Sequence, residues 1–238
     1  MRATNWEFTN RALVFGLIFA STFSLYSFDH QNSTAALADW LGARLGNDPD
    51  FLARLLFACA ALLLGVAALV RTWASSYLQA KVVYAAEVKT ESLVADGPYC
   101  RVRNPLYFAN ALMAVGMGSM MSRTGAVVAI VAMLVFCYRL ILREESGFQA
   151  SQGEQYERYR AAVPRLWPSL WPRVASTGQR ARWAEGFKAE SWCWGFAAAV
   201  VGFAITLNIK VFFGILGTAL VLLWLSSVVL QKKSNSPT

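Results

Sequence analysis

The chain has 238 residues, of which 56% are hydrophobic and 15% charged, with a mean hydropathy of +0.40 and a formal net charge of +8. Soluble domains are about one quarter charged, so this composition excludes an ordinary soluble protein, and its aromatic content excludes a disordered one. The single histidine, His30, excludes a multi-histidine metal centre. The four cysteines are too scattered for a disulfide framework or a metal cluster. We therefore predict a polytopic membrane protein without a metal site.

Six apolar segments are candidates for membrane-spanning helices, each of which needs about 20 apolar residues. In chain order they are Ala12–Phe28, Leu55–Val70, Leu106–Met121, Gly125–Leu142, Trp192–Leu207 and Val211–Leu230. The central parts of these segments contain no ionisable residue, which argues against a transporter. The pattern predicts an all-α transmembrane bundle of about six spans.

The basic residues are divided unevenly between the two sides of this arrangement. With the N-terminus inside, one side holds 18 of the 22 lysines and arginines, and the other side carries an acidic segment between the first two spans. The positive-inside rule then places both termini in the cytosol, together with the long loops 71–104 and 143–191. Because topology explains the charge, we expect membrane lipids and no nucleic acid as partners.

The chain divides into three regions by composition. Residues 1–78 hold the first two spans, residues 79–168 carry the motifs described below, and residues 169–238 contain two further spans. Residues 144–162 alternate aromatic and charged side chains, which predicts a cytosolic amphipathic helix that continues the fourth span. The following stretch, Trp167–Trp183, is rich in Pro, Arg and Trp and is typical of an interfacial segment.

The first candidate site lies in the loop before the third span. Its sequence includes Gly97-Pro98-Tyr99 and Arg103-Asn104-Pro105-Leu106-Tyr107. The two Xaa-Pro steps interrupt regular structure, and irregular backbone at membrane depth is tolerated only where it is buried or lines a cavity. Arg103 and the two tyrosines are therefore candidates for an anion site, although an interfacial belt of Arg and Tyr beside a proline-started helix explains them equally simply.

The second candidate site is the pair Glu144-Glu145, where the fourth span leaves the bilayer. Adjacent carboxylates at this depth are costly unless they are paired or functional. The alternative is a surface network of ion pairs with Arg139 and Arg143, which would contribute little stability.

Taken together, the motifs resemble the superfamily of isoprenylcysteine carboxyl methyltransferases and phospholipid methyltransferases, which are integral membrane enzymes. The elements that carry the resemblance follow in the expected order and cover about residues 80–168. They are Gly97-Pro98-Tyr99, Arg103-Asn104-Pro105-Leu106-Tyr107, Glu144-Glu145, Gly153, Tyr156, Tyr159 and Val163-Pro164-Arg165.

The resemblance implies an S-adenosylmethionine-dependent transfer of a methyl group to a lipid-like or lipidated acceptor at the cytosolic face. The residues that it implies for cofactor binding are Glu91, Ser92, Leu93, Val94, Tyr99, Asn104, Pro105, Leu106, Tyr107 and Glu144. Arg103, Glu144 and Glu145 are the implied catalytic residues. Carboxylates and hydroxyls suit the ammonium and ribose of this cofactor, and methyl transfer needs mainly alignment and a dry cavity.

Two positions depart from the family pattern. Asn104 stands where the family has a histidine, and an asparagine cannot act as a general base. Leu140 stands where the prenylcysteine enzymes have an arginine for the substrate carboxylate, so Arg139 becomes the candidate substrate residue, about 100° away around the helix.

Two other functions stay open at this stage. Membrane reductases of the sterol type share a similar Gly-Pro-Tyr and Arg-Xaa-Pro-Xaa-Tyr pattern and use NADPH, but Glu144-Glu145 is a poor neighbour for its 2′-phosphate. A non-catalytic scaffold on the same fold is the other. The sequence leaves the oligomeric state open, a homo-oligomer included, and it does not identify the methyl acceptor.

Overall fold

The computed structural model describes residues 2–78 and 94–234, with side chains as far as residue 225. The described part of the chain folds into α-helices joined by turns and irregular segments, with no extended sheet. In chain order the helices are α1 (Asn5–Thr9), α2 (Arg11–Ser24), α3 (Ser33–Leu45), α4 (Pro49–Tyr77), α5 (Pro105–Gly118), α6 (Arg123–Ala162), α7 (Trp183–Thr206) and α8 (Ile209–Ser234).

Helices α4, α6 and α7 are long and apolar enough to cross a membrane, and the stretches Arg11–Ser27 and Ile209–Leu225 are shorter apolar helices. Large apolar side chains such as Leu62 and Val127 are more than 60% exposed on the outer faces, as a lipid-facing surface requires. The predicted all-α membrane bundle is confirmed. The third predicted span is different, since α5 has 14 residues and a length of about 21 Å, less than the bilayer core.

Helix α4 is the centre of the bundle, and it packs against α3, α5 and α7. Its inner face carries small side chains, and Ala67 and Ala68 are fully buried. Small residues allow helix backbones to approach closely where lipid gives no hydrophobic driving force. Helix α6 packs against α5 and α2, whereas α8 packs against α7 at the edge of the bundle.

The acidic segment between the first two spans contains a helix that the hydropathy pattern does not reveal. Asn32 begins α3 by accepting hydrogen bonds from the backbone N–H groups of Thr34 and Ala35, both at 2.9 Å. Helix α4 is also longer than predicted, because it continues beyond Val70 to Tyr77. Arg71, which the sequence pattern assigns to a loop, therefore lies within a helix and is buried.

The predicted amphipathic helix is confirmed as the second half of α6, with a break in helical geometry at Gly153, where φ is 50°. After α6 the chain runs without a helix through residues 163–182, which we call the strap. The strap pairs with the loop before α5 through three backbone hydrogen bonds. They run from Arg103 N to Pro164 O (2.9 Å), from Ser169 N to Arg101 O (2.9 Å) and from Arg173 N to Cys100 O (2.7 Å).

Candidate functional site

The loop before α5 is built around a tight turn over Gly97–Cys100. Gly97 has a φ of 59°, and a Cβ atom there would collide with the ring of Tyr77 at the end of α4. Only glycine accepts both this conformation and this close approach. The turn buries Tyr99, and the hydroxyl of Tyr159 in α6 donates a 2.9 Å hydrogen bond to the Tyr99 carbonyl. The loop is thus fixed between α4 and the second half of α6.

Asn104 is the last residue before α5, and Pro105 starts the helix. A residue before proline is kept out of the helical region, which frees its side chain for tertiary contacts. The Asn104 amide donates to Glu145 Oε1 at 3.2 Å and to the carbonyl of Arg165 at 3.0 Å. Asparagine therefore connects α5, α6 and the strap, and this use needs no acid–base chemistry.

Glu145 is buried and held by two arginines. Its Oε1 lies 3.1 Å from Nε of Arg103, and its Oε2 lies 2.9 Å from Nη2 of Arg165 in the strap. Arg103 also donates from Nη1 to the carbonyl of Arg160 at 2.7 Å. The carboxylate of Glu145 raises the pKa of Arg165 against the opposing effect of burial. Glu145 and Arg103 thus neutralise each other within a closed network.

Glu144, the neighbouring carboxylate, has a different environment. Its Oε1 accepts a 2.7 Å hydrogen bond from the hydroxyl of Tyr107, a buried residue in the first turn of α5. Glu144 is partly exposed, and among the described residues it makes no ion pair within 4.0 Å, although the positive charge of Arg11 in α2 is near enough to act on it. A carboxylate has room for about four hydrogen bonds, so Glu144 retains acceptor capacity for a ligand.

Arg139 and Arg143 do not pair with either glutamate. Arg139 donates to Glu7 Oε2 at 2.7 Å, and Arg143 donates to Asn5 Oδ1 at 2.7 Å. Both arginines therefore hold the N-terminal helix α1 against α6. The surface network that would have explained the glutamate pair is not formed, and the role of Arg139 as a substrate residue stays a prediction.

Asp96 fastens the strap to the site from the other side. This residue is 1% exposed, and its carboxylate accepts hydrogen bonds from the hydroxyls of Ser176 and Thr177 and from the backbone N–H groups of Thr177 and Gly178. Burial pushes the pKa of Asp96 up, but these hydrogen bonds outweigh it and hold the pKa below its usual value. The strap is therefore attached at both Arg165 and Thr177.

The structure brings most of the predicted cofactor residues to one end of the bundle. Tyr99, Asn104, Pro105 and Tyr107 are buried there, and Val94 and Leu106 are partly buried. Glu91, Ser92 and Leu93 lie outside the described residues. Their predicted roles in cofactor binding remain predictions.

Sequence reasoning did not find three of the interactions at this end. Asp96 directly precedes the Gly-Pro turn and Arg165 ends the Val-Pro-Arg motif, so the motifs point to both residues. The motifs do not indicate which residues the two side chains contact. A second buried ion pair joins Arg71 in α4 to Glu190 in α7. Among the described residues, no three His, Cys, Asp or Glu side chains are arranged to hold a metal ion.

The fold and the site define a class of protein: an all-α membrane bundle with a polar site at one end, to which the strap is attached. Residues 55–153 match the phospholipid methyltransferase family. The match covers α4 beyond its first turns, the loop, α5 and α6 as far as Gly153. The resemblance drawn from the motifs is therefore confirmed over this region.

Two bacterial proteins are similar to this chain. The cobalt-zinc-cadmium resistance protein CzcN of Cupriavidus metallidurans is 30% identical over 138 residues, which are 58% of this chain and 60% of the relative. The nickel-cobalt-cadmium resistance protein NccN of Alcaligenes xylosoxydans xylosoxydans is 25% identical over 100 residues, 42% of this chain and 44% of the relative. The alignments thus span less than two thirds of either relative. No solved structure matches the chain.

Proposed function

We propose that this chain is an S-adenosylmethionine-dependent membrane methyltransferase that acts on a lipid-like or lipidated acceptor. The observation that carries the proposal is Glu144, a half-buried carboxylate with one neutral partner in the region that matches the phospholipid methyltransferases. Its neighbour Glu145 is saturated by Arg103 and Arg165. The network therefore leaves one carboxylate available at the site.

The side chains around Glu144 suit the cofactor. S-adenosylmethionine carries an ammonium, a sulfonium and two ribose hydroxyls, all of which are attracted to or donate to a carboxylate. The Tyr107 hydroxyl already donates to one oxygen of Glu144, so the second oxygen and the remaining lone pairs are free to accept from a ligand. When bound, the cofactor supplies an electrophilic methyl group on its sulfonium.

The chain itself supplies alignment and exclusion of water. Tyr107 orients Glu144, Asn104 and Arg103 fix Glu145, and the strap covers this end of the bundle through Arg165. Alignment of reacting groups in a dry site is the main requirement of an in-line displacement. Arg103 and Glu145, predicted as catalytic, would then act by holding the site together.

The nature of the acceptor follows from the bases near the site. Asn104 cannot take a proton, and it is already committed to Glu145 and to the Arg165 carbonyl. An acceptor that is nucleophilic without losing a proton first, such as a carboxylate, needs no base, whereas an amine or phenol would need one. A carboxylate-bearing lipid acceptor therefore requires no base, whereas an amine or phenol acceptor would have to give its proton to another group, for which Glu144 is the candidate among the described side chains.

The proposal is tested by replacing Glu144 with Gln, which keeps the shape and removes the charge. A charge-assisted hydrogen bond is worth about 1.5–3 kcal/mol, so the affinity for S-adenosylmethionine should fall roughly tenfold to a hundredfold. Titration calorimetry of the detergent-solubilised protein measures this affinity directly. Glu154→Gln is the matched control, because Glu154 lies on the same helix and its side chain is 80% exposed.

Two outcomes would overturn the proposal. Saturable binding of NADPH without binding of S-adenosylmethionine would indicate a reductase, and an unchanged affinity in Glu144→Gln would remove Glu144 from the site. Thermal unfolding of the unliganded variant should be nearly unchanged, because Glu144 makes one hydrogen bond to a neutral partner.

We further propose that this site faces the cytosol, on the strength of the positive-inside rule. Single cysteines placed at the exposed positions Asp50 and Ala175, in a variant that lacks the exposed Cys59, test the orientation. A membrane-impermeant maleimide should label Asp50→Cys in intact cells and Ala175→Cys only after permeabilisation. Labelling of Ala175→Cys in intact cells would contradict the orientation.

A further inference from the structure

A buried ion pair lies deeper in the bundle than the Glu144 site. Nε of Arg71 in α4 is 2.6 Å from Oε2 of Glu190 in α7, and the two side chains are 8% and 0% exposed. The hydroxyl of Ser75 donates to the second carboxylate oxygen at 2.6 Å. Ionisable residues within membrane helices are costly and usually serve a function, so we looked for a function of this pair in its contacts.

Arg71 extends the pair to a third helix. Its Nη1 donates to the amide oxygen of Asn110 in α5, while its Nε is held by Glu190. The planar guanidinium can make both contacts only in one orientation. Glu190 thus helps to set the orientation in which the guanidinium of Arg71 reaches Asn110, together with the ring of Trp192, whose centroid is 5.2 Å from the guanidinium carbon.

Asn110 and Tyr107 are three residues apart and lie on the same side of α5. Tyr107 donates to Glu144, so the rotation of α5 that satisfies Asn110 also directs Tyr107 towards Glu144. Helix α5 is mostly buried against α4 and α6, and the hydrogen bond between Arg71 and Asn110 adds a directional polar contact to this packing. Hydrogen bonds thus connect Glu190 to Asn110 through Arg71, and Tyr107 to Glu144. Helix α5 joins the two sets of contacts.

Glu190 comes from outside the part of the chain that resembles the methyltransferases. Arg71 and Asn110 lie within residues 55–153, whereas Glu190 is contributed by α7. Gly186, one turn earlier, lets α7 approach α4, since a Cβ atom there would be 2.6 Å from the carbonyl of Thr72. The additional helix therefore brings a carboxylate to an arginine of the matched region.

We propose that Glu190 is a positioning residue for the Glu144 site: by holding Arg71 on Asn110, it fixes the rotation of α5 that presents Tyr107 to Glu144. This inference gives helix α7 a role in the proposed methyltransferase, and it rests on that proposed function. Glu190 acts through Arg71 and α5 and does not itself contact the cofactor.

The test compares Glu190→Gln and Asn110→Ala with a control at the same helix pair. Glu190→Gln removes the charge that holds Arg71, and Asn110→Ala removes the contact with α5 but keeps the ion pair. Trp194→Phe is the control, because Trp194 Nε1 donates to Thr72 Oγ1 at 3.1 Å and so joins α7 to α4 without reaching α5. Two quantities are measured on the detergent-solubilised protein: hydrogen exchange of the 106–110 amides without ligand, and the affinity for S-adenosylmethionine.

We expect exchange of the 106–110 amides to rise and the affinity to fall roughly threefold to tenfold in both variants. The Glu190→Gln/Asn110→Ala double variant should be no worse than the more severe single variant, because both changes break one path. Trp194→Phe should leave both quantities unchanged.

Two results would overturn the inference: wild-type exchange of the 106–110 amides in both variants, or faster exchange and weaker binding in Glu190→Gln alone. The second result would show that the pair only joins α4 to α7. If the wild-type protein binds no S-adenosylmethionine but exchange rises in both variants, the positioning stands and the proposed function fails. If Glu190→Gln does not fold, Asn110→Ala with the intact ion pair decides the question.

Discussion

The two ends of the bundle use their charged side chains differently. At the end where α5 joins α6, Asp29 accepts hydrogen bonds from Arg123 Nη2 (3.0 Å) and from the backbone N–H of Thr124 (2.8 Å). Nearby, the Asn32 amide donates to the carbonyls of Ser119 and Met121. These contacts join one turn of the chain to another, and each described acceptor there has its partner within the protein.

At the opposite end the carboxylates differ from one another. Glu145 and Asp96 are enclosed by their partners, whereas Glu144 accepts one hydrogen bond from Tyr107 and is partly exposed. The burial and the partners of a carboxylate thus distinguish a structural network from a candidate binding group. Enclosed carboxylates should affect stability when they are changed, and the partly satisfied carboxylate should affect ligand affinity.

The largest effect on stability is expected for Glu145→Ala. This change leaves Arg103 buried without its carboxylate, and breaking a buried ion pair costs about 3–5 kcal/mol. Thermal unfolding in detergent measures the loss. Glu154→Ala is the control, since its ion pair with Arg158 is largely exposed and is worth less than about 1 kcal/mol. Equal loss in the two variants would show that burial does not distinguish the networks.

An intermediate effect is expected for Asp96→Asn, because an amide cannot accept all of the hydrogen bonds that the strap donates to this carboxylate. The loss should be about 1–3 kcal/mol and should be local to the strap. Limited digestion with trypsin reports it, since Arg173 and Arg180 are exposed in the strap. Asp39→Asn, a change at an exposed carboxylate, should leave the digestion rate unchanged.

The same strap contact should depend on pH. The pKa of Asp96 is lowered in the folded protein, so its contribution is complete above the ordinary aspartate pKa near 4 and is lost as the pH falls through the lower folded value. Digestion with pepsin, which is active in acid and can cleave at the exposed Leu170 and Trp171 of the strap, reports the opening when each rate is compared with that of Asp96→Asn at the same pH. In Asp96→Asn this acid-dependent component should be absent, and its persistence would assign it to another group.

The smallest effect on stability is expected at the far end, for Asp29→Asn. Arg123 holds the pKa of Asp29 well below its usual range, but the Arg123 side chain is 59% exposed and solvent screens the pair. Between pH 7 and pH 5 the difference from the wild type should be small and constant, because Asp29 stays ionised throughout that range. A thermal unfolding series over this range measures it, and a loss as large as that of Glu145→Ala would contradict the comparison.

The sequence predicted the apolar helices because hydropathy alone selects segments that can lie in a membrane. It missed α3, whose mixed composition carries no strong period, and it ended α4 too early because Arg71 interrupts the apolar run. A charge ends a hydropathy segment even when its partner in the folded protein allows the helix to continue. Arg71 lies inside α4 with its charge paired by Glu190, 119 residues away in the sequence, which no local pattern indicates.

The candidate site was partly predictable for a related reason. A short turn joins α5 to α6, so the two helices are antiparallel. This arrangement brings Asn104 and Tyr107, at the start of α5, close to the glutamate pair of α6. The resemblance assigned cofactor binding to Glu144 and not to Glu145, but the partners of Glu145 were not predictable, because they depend on the position of Arg165. That position is set by the path of the strap, which has no regular structure to indicate it.

The length of helix α6 indicates the depth of the site in a bilayer. The stretch from Arg123 to Glu144 rises about 32 Å, which is close to the thickness of the hydrocarbon core. If Arg123 lies at one surface of the bilayer, Glu144 lies at the headgroup level of the opposite leaflet. An acceptor with a fatty or prenyl chain could then present its polar end to the site without leaving the lipid, and its chain length would matter less than the chemistry of its headgroup.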